Sequence, residues 1–229
     1  MPGILNSILP FLVLFFLTSF SWAETEQSVA PGINDAYQDA DPQFWQDIFE
    51  SERREIWARR NEIADALKLQ PGMSVADVGA GTGFFSLMFA KTVGPQGHVY
   101  AVDIQPNFIE SIEQRAKESG LGHVTGIVNT ERTVGLNKES VDLVFISDTY
   151  HHFEYPVSTL ADIHAAIKPG GDLVVIDFKR IPGFSSAWVI DHVRAGEETV
   201  RREIEQAGFK FIESWDFMQT QFFHRYRKQ

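Results

Sequence analysis

VADVGAGTGFF, Val75 to Phe85, decides the fold. A short apolar run broken only by Asp77 leads into three alternating glycines, Gly79, Gly81 and Gly83, and then into Phe84-Phe85. Glycines at this spacing let a backbone turn sharply and approach a ligand closely, and the helix that follows offers its N-terminal amides. Such a strand–loop–helix holds a nucleotide-like molecule. A dinucleotide site would read G-x-G-x-x-G, but here the sixth position is Phe84, which counts against NAD and FAD and against a nicotinamide oxidoreductase.

Outward from the loop, the chain alternates. Strands are expected over 74–78, 98–102, 123–128, 141–146 and 172–176, with helices over 84–92, 106–119 and 157–167. That alternation predicts a doubly wound, mostly parallel, seven-stranded Rossmann-like sheet covered on both faces. A helix over 197–206 is stopped by Gly208, and 209–216 with 219–227 read as an antiparallel C-terminal hairpin joined by a tight turn. Upstream, Asp41-Pro42 reads as a helix start, and Trp45, Ile48, Phe49, Ile56, Ile63 and Leu67 keep helical spacing up to Gln70-Pro71-Gly72, with a break near Ser51. Residues 41–229 are therefore expected to be one domain, with N-terminal helices over 41–70.

The N-terminus is different in kind. Ile8 to Leu17 is an apolar run too short to span a bilayer alone, followed by Ser21 and Ala23 at the −3 and −1 positions of a cut before Glu24. This predicts an export signal over 1–23 and a periplasmic or secreted protein. No Lys or Arg precedes the run, so the alternative is an uncleaved anchor over 4–22, the only membrane contact expected. Residues 24–40 read as a flexible lead-in. The chain of 229 residues carries 31 acidic against 20 basic side chains, a formal charge of −11, which disfavours nucleic acid as a partner. It has no cysteine, so disulfides, thiolate nucleophiles and zinc–cysteine sites are excluded. Oligomeric state is not readable.

Four blocks, VADVGAGTGFF, VYAVDI, VDLVFISDTYHHF and IKPGGDLVVIDF, resemble in order and spacing the successive motifs of class I S-adenosylmethionine-dependent methyltransferases. The resemblance covers about residues 50–215. It implies S-adenosyl-L-methionine as cofactor. Gly79, Ala80, Gly81 and Gly83 would line its methionine part with Asp77 nearby, while Asp103 and Ile104 would meet the ribose. Asn129, Thr130 and Glu131 would lie at the adenine, and Asp148 at the methyl group and acceptor. In many members helices like those over 41–70 form a lid.

Methyl transfer from a sulfonium asks the protein mainly to align acceptor, methyl and sulfur and to exclude water. A general base is needed only when the acceptor loses a proton. DTYHHF supplies the candidates Asp148, Tyr150, His151 and His152, at the carboxyl end of a strand. Lys179, Arg180, Asp191, His192 and Arg194 lie in a later loop on the same side. Asp148 with His151 or His152 could offer ligands to a divalent ion, but methyltransferases that orient catechols with Mg²⁺ use mainly carboxylate and amide oxygens. No metal is therefore expected. The expected activity is methyl transfer to a small-molecule acceptor. The alternative is a non-catalytic protein of the same fold that binds the cofactor, its demethylated product or another nucleoside.

Overall fold

The structure, a computed structural model, describes residues 26–229. The expected export signal lies outside the described residues. Among those described, no helix is long and apolar enough to cross a membrane.

Seven strands form one sheet in the order β3-β2-β1-β4-β5-β7-β6. They are β1 (Ser74–Val78), β2 (His98–Asp103), β3 (Val124–Val128), β4 (Val141–Ser147), β5 (Ile167–Phe178), β6 (Phe209–Ser214) and β7 (Gln221–Lys228). The pairs β1–β2, β1–β4, β2–β3 and β4–β5 are parallel, and β7 runs antiparallel to both β5 and β6. The order reverses between β1 and β4, and at such a switch point the carboxyl ends of the strands leave a crevice.

Three features differ from the sequence reading. The expected C-terminal hairpin is present, with β7 beside β5 and β6 at the sheet edge, but residues 215–220 join its strands by a longer connection than the tight turn expected. β5 begins at Ile167, paired with Val141, so the chain passes straight from helix into strand through Lys168-Pro169-Gly170-Gly171. The stretch after β5 is not all loop, because Ser186 caps a short helix by accepting from the Val189 amide.

The helices are α1 (Pro42–Phe49), α2 (Glu55–Ala58), α3 (Arg60–Leu67), α4 (Phe84–Val93), α5 (Pro106–Glu118), α6 (Pro156–Ala166), α7 (Ala187–His192) and α8 (Glu197–Gln206). The Asp41 side chain accepts from the Gln43 amide at 3.0 Å, with Pro42 at the first helical position, so α1 starts where the sequence places it. The break after α1 falls at residues 50–54.

Both sheet faces are covered, which explains the unbroken apolar runs of the central strands. On β4, Val144 and Ile146 pack with Leu160 and Ile163 of α6 and Val200 and Ile204 of α8. Leu143 and Phe145 face Ile63 and Leu67 of α3 and Phe85 and Phe89 of α4.

Residues 26–40, expected as a flexible lead-in, are strapped across the carboxyl edge of the sheet. The Glu26 carboxylate accepts from the Val157 and Ser158 amides at 2.8 and 2.9 Å, the free donors at the start of α6. Ser28 donates to Glu154 at 2.6 Å, Asn34 to the His152 carbonyl at 3.2 Å, and Asn107 to the Ala40 carbonyl at 3.2 Å. These bonds hold a short 3-10 turn, Asp35–Tyr37, over the crevice.

Candidate active site

The glycine loop is folded by its own amides. Gly79 and Ala80 donate to the Val102 carbonyl at the end of β2, and Gly83 donates to the Ala80 carbonyl. Gly81 donates to Asp103 Oδ2 at 2.8 Å. Gly79 and Gly83 have φ of 73° and 77°, the left-handed region that side chains avoid. A Cβ on Gly79 would lie 2.1 Å from Thr149 Cγ2, and one on Gly83 would lie 2.5 Å from Ile112 Cγ1. The loop is thus closed tightly against the turn after β4 on one side and α5 on the other.

Two buried carboxylates flank it. Asp77 accepts from the Ser86 hydroxyl at 2.6 Å and also from the Ser86 amide, so it caps the first turn of α4. Burial, opposed by those bonds and reinforced by Asp103, pushes its carboxyl up to about 7. Asp103 accepts from the Gly81 and Gln105 amides, and burial still raises it to about 6. The Ile104 amide adds a third bond, and since each carboxylate oxygen has two lone pairs Asp103 still keeps capacity for a ligand hydroxyl.

Around this framework lie two adjoining cavities. The smaller, about 100 Å³, is lined by Gly79, Gly81, Asp103, Ile104, Asn129, Thr130, Glu131 and Asp148, with Tyr37 of the strap and Phe49 of α1 above them. The larger, about 600 Å³, is lined by Asp77, Ala80, Arg54, Asp148, His151, His152 and His192 and by an aromatic wall that includes Trp45, Phe49, Phe178 and Trp188. Tyr37, Phe49, Gly79, Gly81, Asp148 and His152 line both, so the two spaces meet at the glycine loop. Gly83 lines neither and acts through packing.

The structure separates the residues of DTYHHF. Asp148 stands at φ 48°, accepts from Arg54 at 2.6 Å through Oδ2, and leaves Oδ1 buried without a partner. Burial raises its carboxyl, and Arg54 works against that rise. Tyr150 lines neither cavity: it is fully buried in the core, and its hydroxyl donates to Glu203 of α8 at 2.8 Å. The 3-10 turn Tyr150–His152 points adjacent side chains in different directions, so one goes to the core while its two successors line the larger cavity. His151 Nδ1 donates to Asp177 Oδ1 at 2.7 Å, and the same carboxylate takes the His151 amide. Burial works to raise Asp177, but the His151 ring together with the His151 and Phe178 amides holds the carboxyl below its ordinary value. His152 is driven down to about 3 by burial, with His151 and His192 adding to the effect, so its ring is neutral.

His192 on α7 comes back to these two rings, 5.3 Å from His151 and 5.2 Å from His152 between centroids, with Trp188 stacked on it at 4.6 Å. Asp177, Trp188 and Tyr37 were not singled out from sequence. Asp177 had a visible signal, a lone acid ending the apolar run of β5 as Asp148 ends that of β4. Tyr37, in a polar segment, had none.

The residues present fit a nucleoside carrying an amino-acid tail. The smaller cavity pairs a carboxylate at the end of β2 with an Asn129 whose Oδ1 is buried and unpartnered. The loop between the cavities approaches so closely that a Cβ at position 81 would lie 3.2 Å from Phe49.

A family profile described as a methyltransferase domain matches residues 69–224, more than half of the chain. A demethylmenaquinone methyltransferase of Listeria welshimeri is 30% identical over 131 residues, 56% of this chain and 56% of that protein. The ubiquinone/menaquinone biosynthesis C-methyltransferase UbiE of Bordetella parapertussis is 32% identical over 113 residues, 49% of this chain and 43% of that protein. The chain thus spans about half the length of the curated relatives it matches. A crystal structure of a SAM dependent methyltransferase from Aquifex aeolicus superposes with a TM-score of 0.73 at 25% identity, over 82% of this chain and 99% of the other. Sheet order, glycine loop, profile and neighbours agree, and the chain belongs to the family of class I S-adenosylmethionine-dependent methyltransferase domains.

Proposed function

We propose that this protein methylates a small, apolar-ringed acceptor. S-adenosylmethionine, when bound, supplies a methyl group already activated on a sulfonium. Asp103 would hold the ribose hydroxyls, residues 129–131 would flank the adenine, and the glycine loop would pass the amino-acid end toward Asp77. The single observation that carries the reading is that the two cavities meet at the loop, so a donor in the smaller one presents its end to the larger. In-line displacement needs that adjacency.

The acceptor chamber supports a ring with a hydroxyl. Its walls are aromatic, and its polar end is the group of His151, His152 and His192. His151 Nε2 is buried and unpartnered while Nδ1 is bound to Asp177, so its lone pair can take the proton of an acceptor hydroxyl. The relatives named for demethylmenaquinone and for ubiquinone/menaquinone biosynthesis point to the same aromatic class. Tyr37, Phe49 and Arg54 would close over the bound pair and keep water out.

Calorimetry with S-adenosylhomocysteine, followed by assay of its release over a panel of naphthoquinols, catechols and aliphatic alcohols, tests this. Turnover confined to the ring hydroxyls is expected. Binding without turnover on any acceptor would favour the non-catalytic binding protein, and absence of binding would defeat both. We further propose, from the residues of the leader, that the chain is exported and cut after Ala23. A mature protein found to start at Met1 in a soluble cytosolic fraction would refute that.

A further inference from the structure

The three imidazoles at the polar end of the larger cavity have a property that proton transfer does not require. His151 Nε2, His152 Nδ1 and His192 Nε2 are each buried with no hydrogen-bond partner. One donor atom from each of the three residues lies within 4.8 Å of the others. Three adjacent imidazoles that each keep a buried, unpartnered ring nitrogen are uncommon, because buried polar atoms are nearly always paired.

We propose that His151, His152 and His192 bind a divalent transition-metal ion of the zinc, cobalt, nickel or iron class, with an open coordination position facing the acceptor cavity. Neutral imidazole suits these ions, whereas Mg²⁺ and Ca²⁺ prefer oxygen. Three protein nitrogens without a fourth ligand is the pattern of a site that keeps a place for water or substrate. The second shell is also present. Asp177 fixes the His151 ring through Nδ1 at 2.7 Å, leaving Nε2 for the ion, as carboxylates do behind metal-bound histidines. The Ile33 backbone of the strap bonds the His152 ring, and Trp188 stacks on His192 at an interplanar angle of 23°. A tetrahedral ion at ordinary zinc–nitrogen lengths sets its nitrogens about 3.4 Å apart, so nitrogens up to 4.8 Å apart must close by up to about 1.4 Å. Rotation of the partly exposed His192 on its short helix can supply much of that.

The ion would hold an acceptor oxygen and lower its pKa so that the proton passes to bulk water through the open position before the site closes, and His151 would then serve as a ligand instead of a base. Placing an acceptor there rests on the proposed function; binding of the ion does not. Untagged full-length chain, stripped with a chelator, is titrated with Zn²⁺ in competition with a chromophoric chelator and with Co²⁺ by visible absorption. One equivalent is expected, with the d–d bands of low-coordinate Co²⁺. His152→Ala and His192→Ala should each weaken Zn²⁺ at least about tenfold, and Asp177→Asn by about 10–100-fold. His164→Ala, on α6 away from the cluster, should leave binding unchanged. Thermal melts and S-adenosylhomocysteine titrations of the same samples show whether each variant is folded and whether the nucleoside site survives. No saturable Zn²⁺ binding, or binding unmoved by His152→Ala and His192→Ala, overturns the metal site even where S-adenosylhomocysteine still binds. Metal binding with no S-adenosylhomocysteine binding overturns the methyltransferase reading and leaves the metal site standing.

Discussion

The pair Arg54–Asp148 ties the N-terminal helices to the switch point of the sheet, and its strength can be worked out. The closest atoms are 2.6 Å apart, the Asp148 side chain is 6% exposed and the Arg54 side chain 27%. Charge centres about 4 Å apart attract by about 4 kcal/mol at an effective dielectric of 20. Desolvation of the carboxylate and partial wetting of the guanidinium take back much of this. Breaking a fully buried pair costs about 3–5 kcal/mol and an exposed one about 0–1. This pair, buried at one end only, should therefore lose about 2 kcal/mol on Arg54→Ala, a fall of about 4–8 °C in Tm for a domain of this size. Most of that loss is the stranded carboxylate, which stands near Asp177. Asp148→Asn introduces no new backbone strain, because asparagine also tolerates positive φ. Adding it to Arg54→Ala should recover about 1 kcal/mol. Removing Arg54 also raises the folded-state pKa of Asp148 further, so the folded variant binds a proton more readily than the wild type. The deficit of Arg54→Ala is then full at neutral pH and shrinks as pH falls through that pKa. Urea melts of the wild type, both single variants and the double variant at neutral and acid pH measure all of this. Single costs that add within about 0.5 kcal/mol, with no recovery in the double variant, would refute the coupling.

Other outcomes are open to measurement. Gly83→Ala must place a Cβ at φ 77° against Ile112, so left-handed strain of about 1–2 kcal/mol and overpacking of about 1–3 should lower Tm with few changes in the lining of either cavity. Tyr150→Phe should cost about 1 kcal/mol by calorimetric melting and leave cofactor and acceptor constants in place, since the hydroxyl meets Glu203 and not a ligand. Asp77 and Asp103 are raised in the folded protein to about 7 and about 6, so the folded state holds protons that the unfolded chain has already lost. Stability of the ligand-free protein should therefore fall as pH rises from about 4 through 7. A ligand carrying an ammonium group favours the ionised carboxylates, so S-adenosylhomocysteine should bind more tightly at pH 8 than at pH 6, with proton release visible in buffers of different ionisation enthalpy.

What was legible in the sequence was local. The β1 loop, the acid 20 residues beyond Gly83 and the caps of α1 each depend on neighbours a few positions away, and the chain states them directly. The doubly wound, mostly parallel sheet with its C-terminal hairpin followed from alternation together with the motif resemblance. Tyr150 misled because sequence adjacency to His151 says nothing about direction in a 3-10 turn: one residue of rotation sends the ring to Glu203, 53 positions away. The strap was misread for a similar reason. Its polar composition looks like a free segment, but its acid Glu26 finds the unpaired amides of α6, 131 residues downstream. Only the fold brings those partners together.

The same reasoning explains why the acceptor end of the site was the harder half to read. The floor of the donor end is built by β1, the glycine loop, the end of β2 and the residues after β3, which follow one another in order along the chain. The acceptor end is assembled from five separate pieces: the strap, the break after α1, the turn after β4, the end of β5 and the helix after β5. Each contributes a side chain that only the others give meaning to. Asp177 orients His151, Trp188 orients His192, Arg54 balances Asp148, and Tyr37 packs its ring against His152 at 5.4 Å. If the acceptor chamber is where specificity lies, an exchange of the strap and the stretch 179–196 between two such proteins should carry acceptor choice with it. The affinity for S-adenosylhomocysteine should change much less, because Asp103 and its two loop amides lie outside both segments.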